Sequence, residues 1–194
     1  MDGFVFLDKP SGFRSSDVVV QVKKVLGTRK AGHSGTLDPG ATGLLLIGLD
    51  GATKYMGRLT GLDKKYEGVI KLHGDVLPGH VKGVAKEFTG EVRQMPPKRS
   101  AVARSERVKT VYALDVVSVR GREVRFRLRC EAGFYVRKLA HDFGLRLGTR
   151  AQLWKLRRTG VGPFSVSECV TLDDIKKRGD ACVKSVECVM PRVK

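Results

Sequence analysis

Cysteine is scarce in this chain of 194 residues, and its four occurrences, Cys130, Cys169, Cys182 and Cys188, form no C-x-x-C pair and share no zinc-site spacing with histidine. No structural metal centre is expected, and the thiols read as buried or idle. Long apolar runs are missing too. Nothing approaches the length of a membrane-spanning helix, and no amphipathic anchor stands out. The N-terminal MDGFVFLDKPSG has an acidic second residue and too short an apolar stretch for a secretory signal, so an intracellular protein is expected. Acidic side chains are also in deficit. Against 37 Lys and Arg stand 20 Asp and Glu, a formal charge of +17 and a pI near 10.1. Solubility does not require so large an imbalance, which points to a polyanionic partner, with nucleic acid favoured over a membrane surface.

What is present fits one ordinary domain with a real core. Hydrophobic residues make up 41% of the chain, and no internal repeat or low-complexity linker interrupts it. Residues 1–176 are expected to form the domain, followed by a tail, 177–194, whose pattern gives no structural assignment. Gly3 to Leu7 is β-prone. A helix should start at Ser15 or Ser16 and run to Gly27, with Val18, Val22, Val25 and Leu26 on its buried face and Lys23, Lys24 and Arg29 in solvent. Leu44 to Leu49 reads as a buried strand, Ala52 to Leu59 as a short helix and Tyr66 to His73 as a strand. Val81 to Phe88 reads as helix, and the proline-rich 95–100 as extended or looped. From Val108 to Glu131 the period becomes two. Val124, Phe126, Leu128 and Cys130 alternate with Glu123, Arg125, Arg127 and Arg129, after a turn at Arg120-Gly121-Arg122. Val136, Leu139, Ala140, Phe143 and Leu147 then give a helix ended by Gly148. The fold class is mixed α+β.

Between Gly32 and Gly43 the chain reads GHSGTLDPGATG. Glycine permits positive φ and close backbone approach, while Pro39 fixes its own φ and turns Asp38 away from helix, so the loop holds its aspartate rigidly. Asp38 can then serve as nucleophile, as general base, or as a group capping its own turn.

The whole pattern resembles the catalytic loop of the TruB/dyskerin family of RNA pseudouridine synthases, in which G-H-x-G-T-L-D-P carries the nucleophilic aspartate. Further similar blocks follow in order. Within CEAGFYVRKLAHDFG, Arg137 matches the arginine paired with that aspartate, where a charge at contact distance would keep the carboxylate ionised; by itself an arginine in a first helical turn is a solvated charge. Tyr66 matches the tyrosine that stacks on the target base, although a strand tyrosine is equally a packing residue. His33 matches a position that helps hold the RNA with its nucleotide flipped out, as an enzyme acting on a stacked uridine requires; it could also be a hydrogen-bonded loop histidine. Tyr135 lies beside Arg137, read as the alternate side of an extended stretch lining the same pocket, with plain packing as the other reading. Leu156, in WKLRRTGVGPF, matches a leucine at the pocket, with Arg157 and Arg158 matching arginines close by, or is simply core. Lys9, in D-K-P-x-G, reads as support beneath the site, with RNA contact as the other option; in that motif Arg14 replaces the usual threonine.

The resemblance implies the pseudouridine synthase fold, a largely antiparallel sheet flanked by helices, and isomerisation of uridine in RNA without cofactor or metal. Met95 to Val102 leads straight into a basic run to Tyr112, without the bacterial insertion, which is similar to the archaeal and eukaryotic branch. That branch works with a box H/ACA guide RNA and small partner proteins and carries a PUA domain, which is expected to be absent here. The substrates implied are the T-arm of transfer RNA or, with a guide, ribosomal RNA. The location implied is cytoplasmic in a prokaryote and nuclear or nucleolar in a eukaryote. A non-catalytic RNA-binding or chaperone relative is the alternative.

Overall fold

The computed structural model describes residues 1–95 and 105–193. In chain order the elements are β1 (Gly3–Lys9), α1 (Ser15–Val25), β2 (Ala31–His33), β3 (Thr42–Leu49), α2 (Met56–Thr60), β4 (Lys64–Leu72), α3 (Pro78–Glu87), β5 (Gly90–Gln94), β6 (Arg107–Arg120), β7 (Glu123–Cys130), α4 (Val136–Arg146), β8 (Ala151–Val161), β9 (Phe164–Ser165), α5 (Leu172–Arg178) and α6 (Val186–Val189). The class is the expected α+β, with largely antiparallel strands and flanking helices. The chain divides into two compact units, one of residues 1–62 and 157–194 and the other of residues 63–156.

In the first unit β3 pairs antiparallel with both β1 and β2, and its start runs parallel to the second half of β8. Strands β1 and β3 are buried on both faces, which is why Leu44 to Leu49 is continuously apolar rather than alternating. One face, with Val5, Leu7, Leu45 and Ile47, packs on Val18 and Val22 of α1 and Ile175 of α5. The other, with Phe4, Phe6, Leu44 and Leu46, packs on Val161, Phe164, Val189 and Val193. The segment after Lys176, which had no sequence assignment, therefore contributes to this core, and Lys184 exchanges backbone hydrogen bonds with Phe4 at 2.8 Å.

Two local expectations needed correction. Val25 is 43% exposed and Val19 takes its place in the core. At roughly 100° per residue the buried arc of α1 runs from Val18 to Val19, and Val25, at the helix end, falls outside it. The segment expected as one short helix from Ala52 is a 3-10 helix, Asp50–Tyr55, followed by α2.

In the second unit β4, β7, β6 and β5 form an antiparallel series with Tyr66 opposite Leu128 and Val111 opposite Gly90. The alternation of β7 is as expected: Val124, Phe126, Leu128 and Cys130 are buried, while Arg125, Arg127 and Arg129 are exposed. Gly121 makes the hairpin turn with φ 53°. All five apolar positions expected of α4 are buried, and Phe143 meets Phe88 at 5.7 Å between ring centres. The proline-rich expectation at 95–100 falls, from Pro96 onward, outside the described residues.

Candidate active site

Asp38 sits half-buried in the loop between β2 and β3, in a turn closed by donation of the Ala41 N–H to its carbonyl at 3.0 Å. Three buried polar side chains of the first unit fix that loop. Ser15, at the start of α1 and 1% exposed, donates its hydroxyl to the Leu37 carbonyl at 3.0 Å and accepts the Leu37 N–H at 2.8 Å. Lys9, at the end of β1 with no exposed surface, gives its ammonium to the carbonyls of Pro10 at 2.8 Å, Phe13 at 2.7 Å and Pro39 at 3.3 Å. Arg158, 1% exposed, donates Nε to the Leu44 carbonyl at 2.8 Å and an Nη to that of Gly35 at 3.1 Å. Buried backbone carbonyls need partners, and these cations supply them.

Gly43 completes the arrangement. Its φ is 102°, and a Cβ there would lie 2.3 Å from the Arg158 carbonyl oxygen, so only glycine lets β3 meet β8 at this point. Opposite the Asp38 loop, Gly12 donates its N–H to the Pro39 carbonyl at 2.8 Å. At the start of α1 the Asp17 carboxylate accepts the Arg14 N–H at 3.3 Å.

The electrostatics follow from burial. Desolvation lowers the pKa of Lys9, opposed by the nearby Asp38 carboxylate and assisted by Arg158. His33, at the end of β2, is likewise lowered by desolvation and then by Arg158, so it favours the neutral form. Its Nδ1 is buried without a hydrogen-bond partner, as is the adjacent Ser34 hydroxyl. The first unit thus brings Lys9 and His33 within reach of the Arg158 charge, and Asp38 within reach of Lys9.

The second unit holds the remaining candidates. Tyr66 is 9% exposed on β4, on the face shared with Leu128. Arg137 is an exposed residue in the first turn of α4. Tyr135 caps that helix, so the stretch expected to be extended is helical from Val136 onward. The chain pattern of a helix start replaces alternation here, because Val136, Leu139 and Ala140 must all face one core. Leu156 is half-buried on β8. Gln94, 2% exposed, donates Nε2 to the Tyr135 carbonyl at 3.1 Å and accepts the Tyr135 N–H at 2.9 Å, tying the end of β5 to the start of the helix that carries Arg137.

The resemblance put Arg158 close to the pocket but not beneath the loop, and Ser15 and Gln94 were not read as organisers at all. A buried arginine leaves no periodic signal, and the serine and glutamine look like ordinary polar residues. Lys9 has no surface to offer a ligand, so any effect on binding passes through the loop beneath which it lies.

A carboxylate on a pinned glycine-rich loop can serve as a nucleophile or as a base. Two family models match the chain: TruB family pseudouridylate synthase (N terminal domain) over residues 23–79, and tRNA pseudouridylate synthase B C-terminal domain over residues 137–187. The chain belongs to the TruB family. It is 48% identical over 176 residues to a probable tRNA pseudouridine synthase B of Methanopyrus kandleri, covering 91% of this chain and 52% of the relative. Among solved structures, a Cbf5-Nop10-Gar1 complex contains a chain that matches with TM-score 0.92 and 40% identity, over 98% of this chain and 62% of that one. An H/ACA RNP bound to a substrate RNA containing 2'-deoxyuridine contains another, with TM-score 0.83 and 41% identity, over 92% and 53%. The chain spans about half the length of the curated relatives it matches.

Proposed function

We propose that this chain carries the catalytic machinery of an RNA pseudouridine synthase, converting a uridine in RNA to pseudouridine inside the cell. The observation that carries the reading is the fixing of Asp38 by Ser15, Lys9 and Arg158 within a loop of the family's catalytic sequence. In this reaction the bond from ribose C1' to uracil N1 breaks, the base turns, and C1' bonds to C5; C5 loses a proton and N1 ends with one. The change is an isomerisation, and it needs a nucleophile or charge-stabilising carboxylate held in place more than it needs a strong acid or base. Asp38 takes that role, Tyr66 stacks on the base and assists proton removal at C5, and Arg137 is the cationic member of the catalytic set. His33, Tyr135 and Leu156 support the flipped nucleotide, and Lys9 supports the loop.

Transfer RNA is the first substrate to test, because the Methanopyrus kandleri relative is named for it. Guide-directed modification is the second reading, favoured by 41% identity to a chain of an RNA-bound H/ACA RNP; Nop10-like and Gar1-like proteins would then be partners. Wild-type protein is incubated with an unmodified transfer RNA transcript and, separately, with a guide-assembled ribosomal fragment. Pseudouridine is expected in at least one, and Asp38→Asn should abolish it while leaving RNA affinity nearly unchanged. RNA binding without product on either substrate would establish the non-catalytic relative instead.

A further inference from the structure

The outward face of β4 and β7 in the second unit is unlike an ordinary solvated sheet. Arg125, Arg127 and Arg129 all point to solvent from β7. Alternate residues of an antiparallel strand lie roughly 6.8 Å apart, so the three arginine side chains leave the strand at even pitch. Directly opposite Arg129 stands exposed Lys65, a like-charge cross-strand pair. Arg127 and Arg129 each have one carboxylate, Glu67 at 3.1 Å and Asp63 at 3.3 Å, but these pairs are mostly exposed and weak. Asp115 and Glu123 share the face, where Lys65, Lys71 and Arg120 join the three arginines, so six cations stand against four carboxylates.

Aromatic rings border the row at both ends. Trp154 of β8 is 52% exposed, with the Lys71 ammonium 4.8 Å from its ring centre. Tyr112 of β6 is 42% exposed, with the Arg129 guanidinium 4.9 Å from its ring. A cationic row at strand pitch flanked by half-exposed rings offers phosphates a track and bases a surface to stack on.

We propose that this sheet face is an auxiliary RNA-binding surface that holds the backbone of the substrate RNA away from the target uridine. The assignment rests on the reading that the chain acts on RNA. It deepens that reading by naming a surface for the RNA backbone.

Trp154 is the single tryptophan of the chain, so its fluorescence reports on this face alone. An unmodified transfer RNA transcript is titrated into the wild-type protein while binding is followed in parallel by filter retention. Quenching of Trp154 that tracks the binding curve is expected. The R125Q/R127Q/R129Q variant alters only exposed positions; it should weaken binding on the order of 10-fold and lower the slope of log affinity against log salt by about 2. Tight RNA binding with silent Trp154 fluorescence and an unchanged salt slope in the variant would overturn the proposal and leave the face to a protein partner. Product is scored on the same samples. Absence of pseudouridine alongside intact quenching sinks the catalytic reading while supporting this one.

Discussion

Ser15 and Leu37 are joined by two hydrogen bonds through one hydroxyl, which donates to the Leu37 carbonyl at 3.0 Å and accepts its N–H at 2.8 Å. The next residue is Asp38. A helix start thereby sets the backbone of the catalytic candidate. In Ser15→Ala both backbone groups of Leu37 lose their partner inside the protein, at a cost of about 1–3 kcal/mol. Thermal unfolding should show a lower midpoint, and turnover should fall by more than RNA affinity does. A variant with wild-type stability would show that the hydroxyl contributes nothing to the loop.

Gly43→Ala should be among the most damaging single changes available. The new Cβ meets the Arg158 carbonyl oxygen at 2.3 Å, and φ of 102° is itself unfavourable for alanine. Strain and overpacking together should cost roughly 2–5 kcal/mol, read as a loss of soluble protein or a large fall in denaturation midpoint. Gly40→Ala is the matching control, since no atom lies within 4 Å of a Cβ there.

Arg158→Lys keeps the charge and loses the fork. One ammonium cannot reproduce the separate bonds to the Leu44 and Gly35 carbonyls, so a buried oxygen is left without its donor. A destabilisation of about 1–3 kcal/mol is expected. Chemical denaturation measures it, and the variant's pseudouridine formation should drop while its RNA affinity stays close to wild type.

Much of the architecture was legible because burial leaves a period. The two-residue alternation of β7 and the apolar face of α4 were read at the right positions, since each element packs on one side only. Strands β1 and β3 were legible as β but not as two-sided, because an apolar run says nothing of which layer each residue joins. Val25 misled because the helical repeat ignores where a helix ends. The loop around Asp38 was visible through glycine, proline and family resemblance. Of its supports only Lys9 was read. Ser15 and Arg158, like Gln94 at the start of α4, act through backbone groups distant in sequence, and a contact of that kind has no local spacing to detect.

His33 should make stability depend on pH. Its folded pKa lies below the ordinary 6.5 because burial and Arg158 disfavour the imidazolium. Below 6.5 the unfolded chain therefore binds protons that the folded chain resists, and stability falls as pH drops through that value. At neutral pH both states hold the neutral ring and no such penalty exists. His33→Gln removes the titration, so the gap in unfolding free energy between the two proteins should shift in favour of the variant as the solution is acidified. Parallel stability curves for the two proteins across that range would refute the assignment.

Gln94 offers the sharpest test of how the start of α4 is held. Its amide both donates to the Tyr135 carbonyl and accepts the Tyr135 N–H, doing with one side chain what a separate donor and acceptor would otherwise do. Gln94→Leu fills the space and removes both bonds, which should cost about 1–3 kcal/mol. Gln94→Glu separates the two halves of the interaction. An ionised carboxylate still accepts the N–H but presents a second oxygen to the Tyr135 carbonyl, a repulsive contact inside the unit. Burial raises a carboxyl pKa, and the protonated form regains a donor, so this variant should recover stability as pH falls, the reverse of the trend expected from His33. Turnover should follow the same order, with wild type highest, because Arg137 lies two residues beyond Tyr135 and depends on where that helix begins. If Gln94→Glu shows the same pH profile of stability as wild type, the amide is not what anchors the helix.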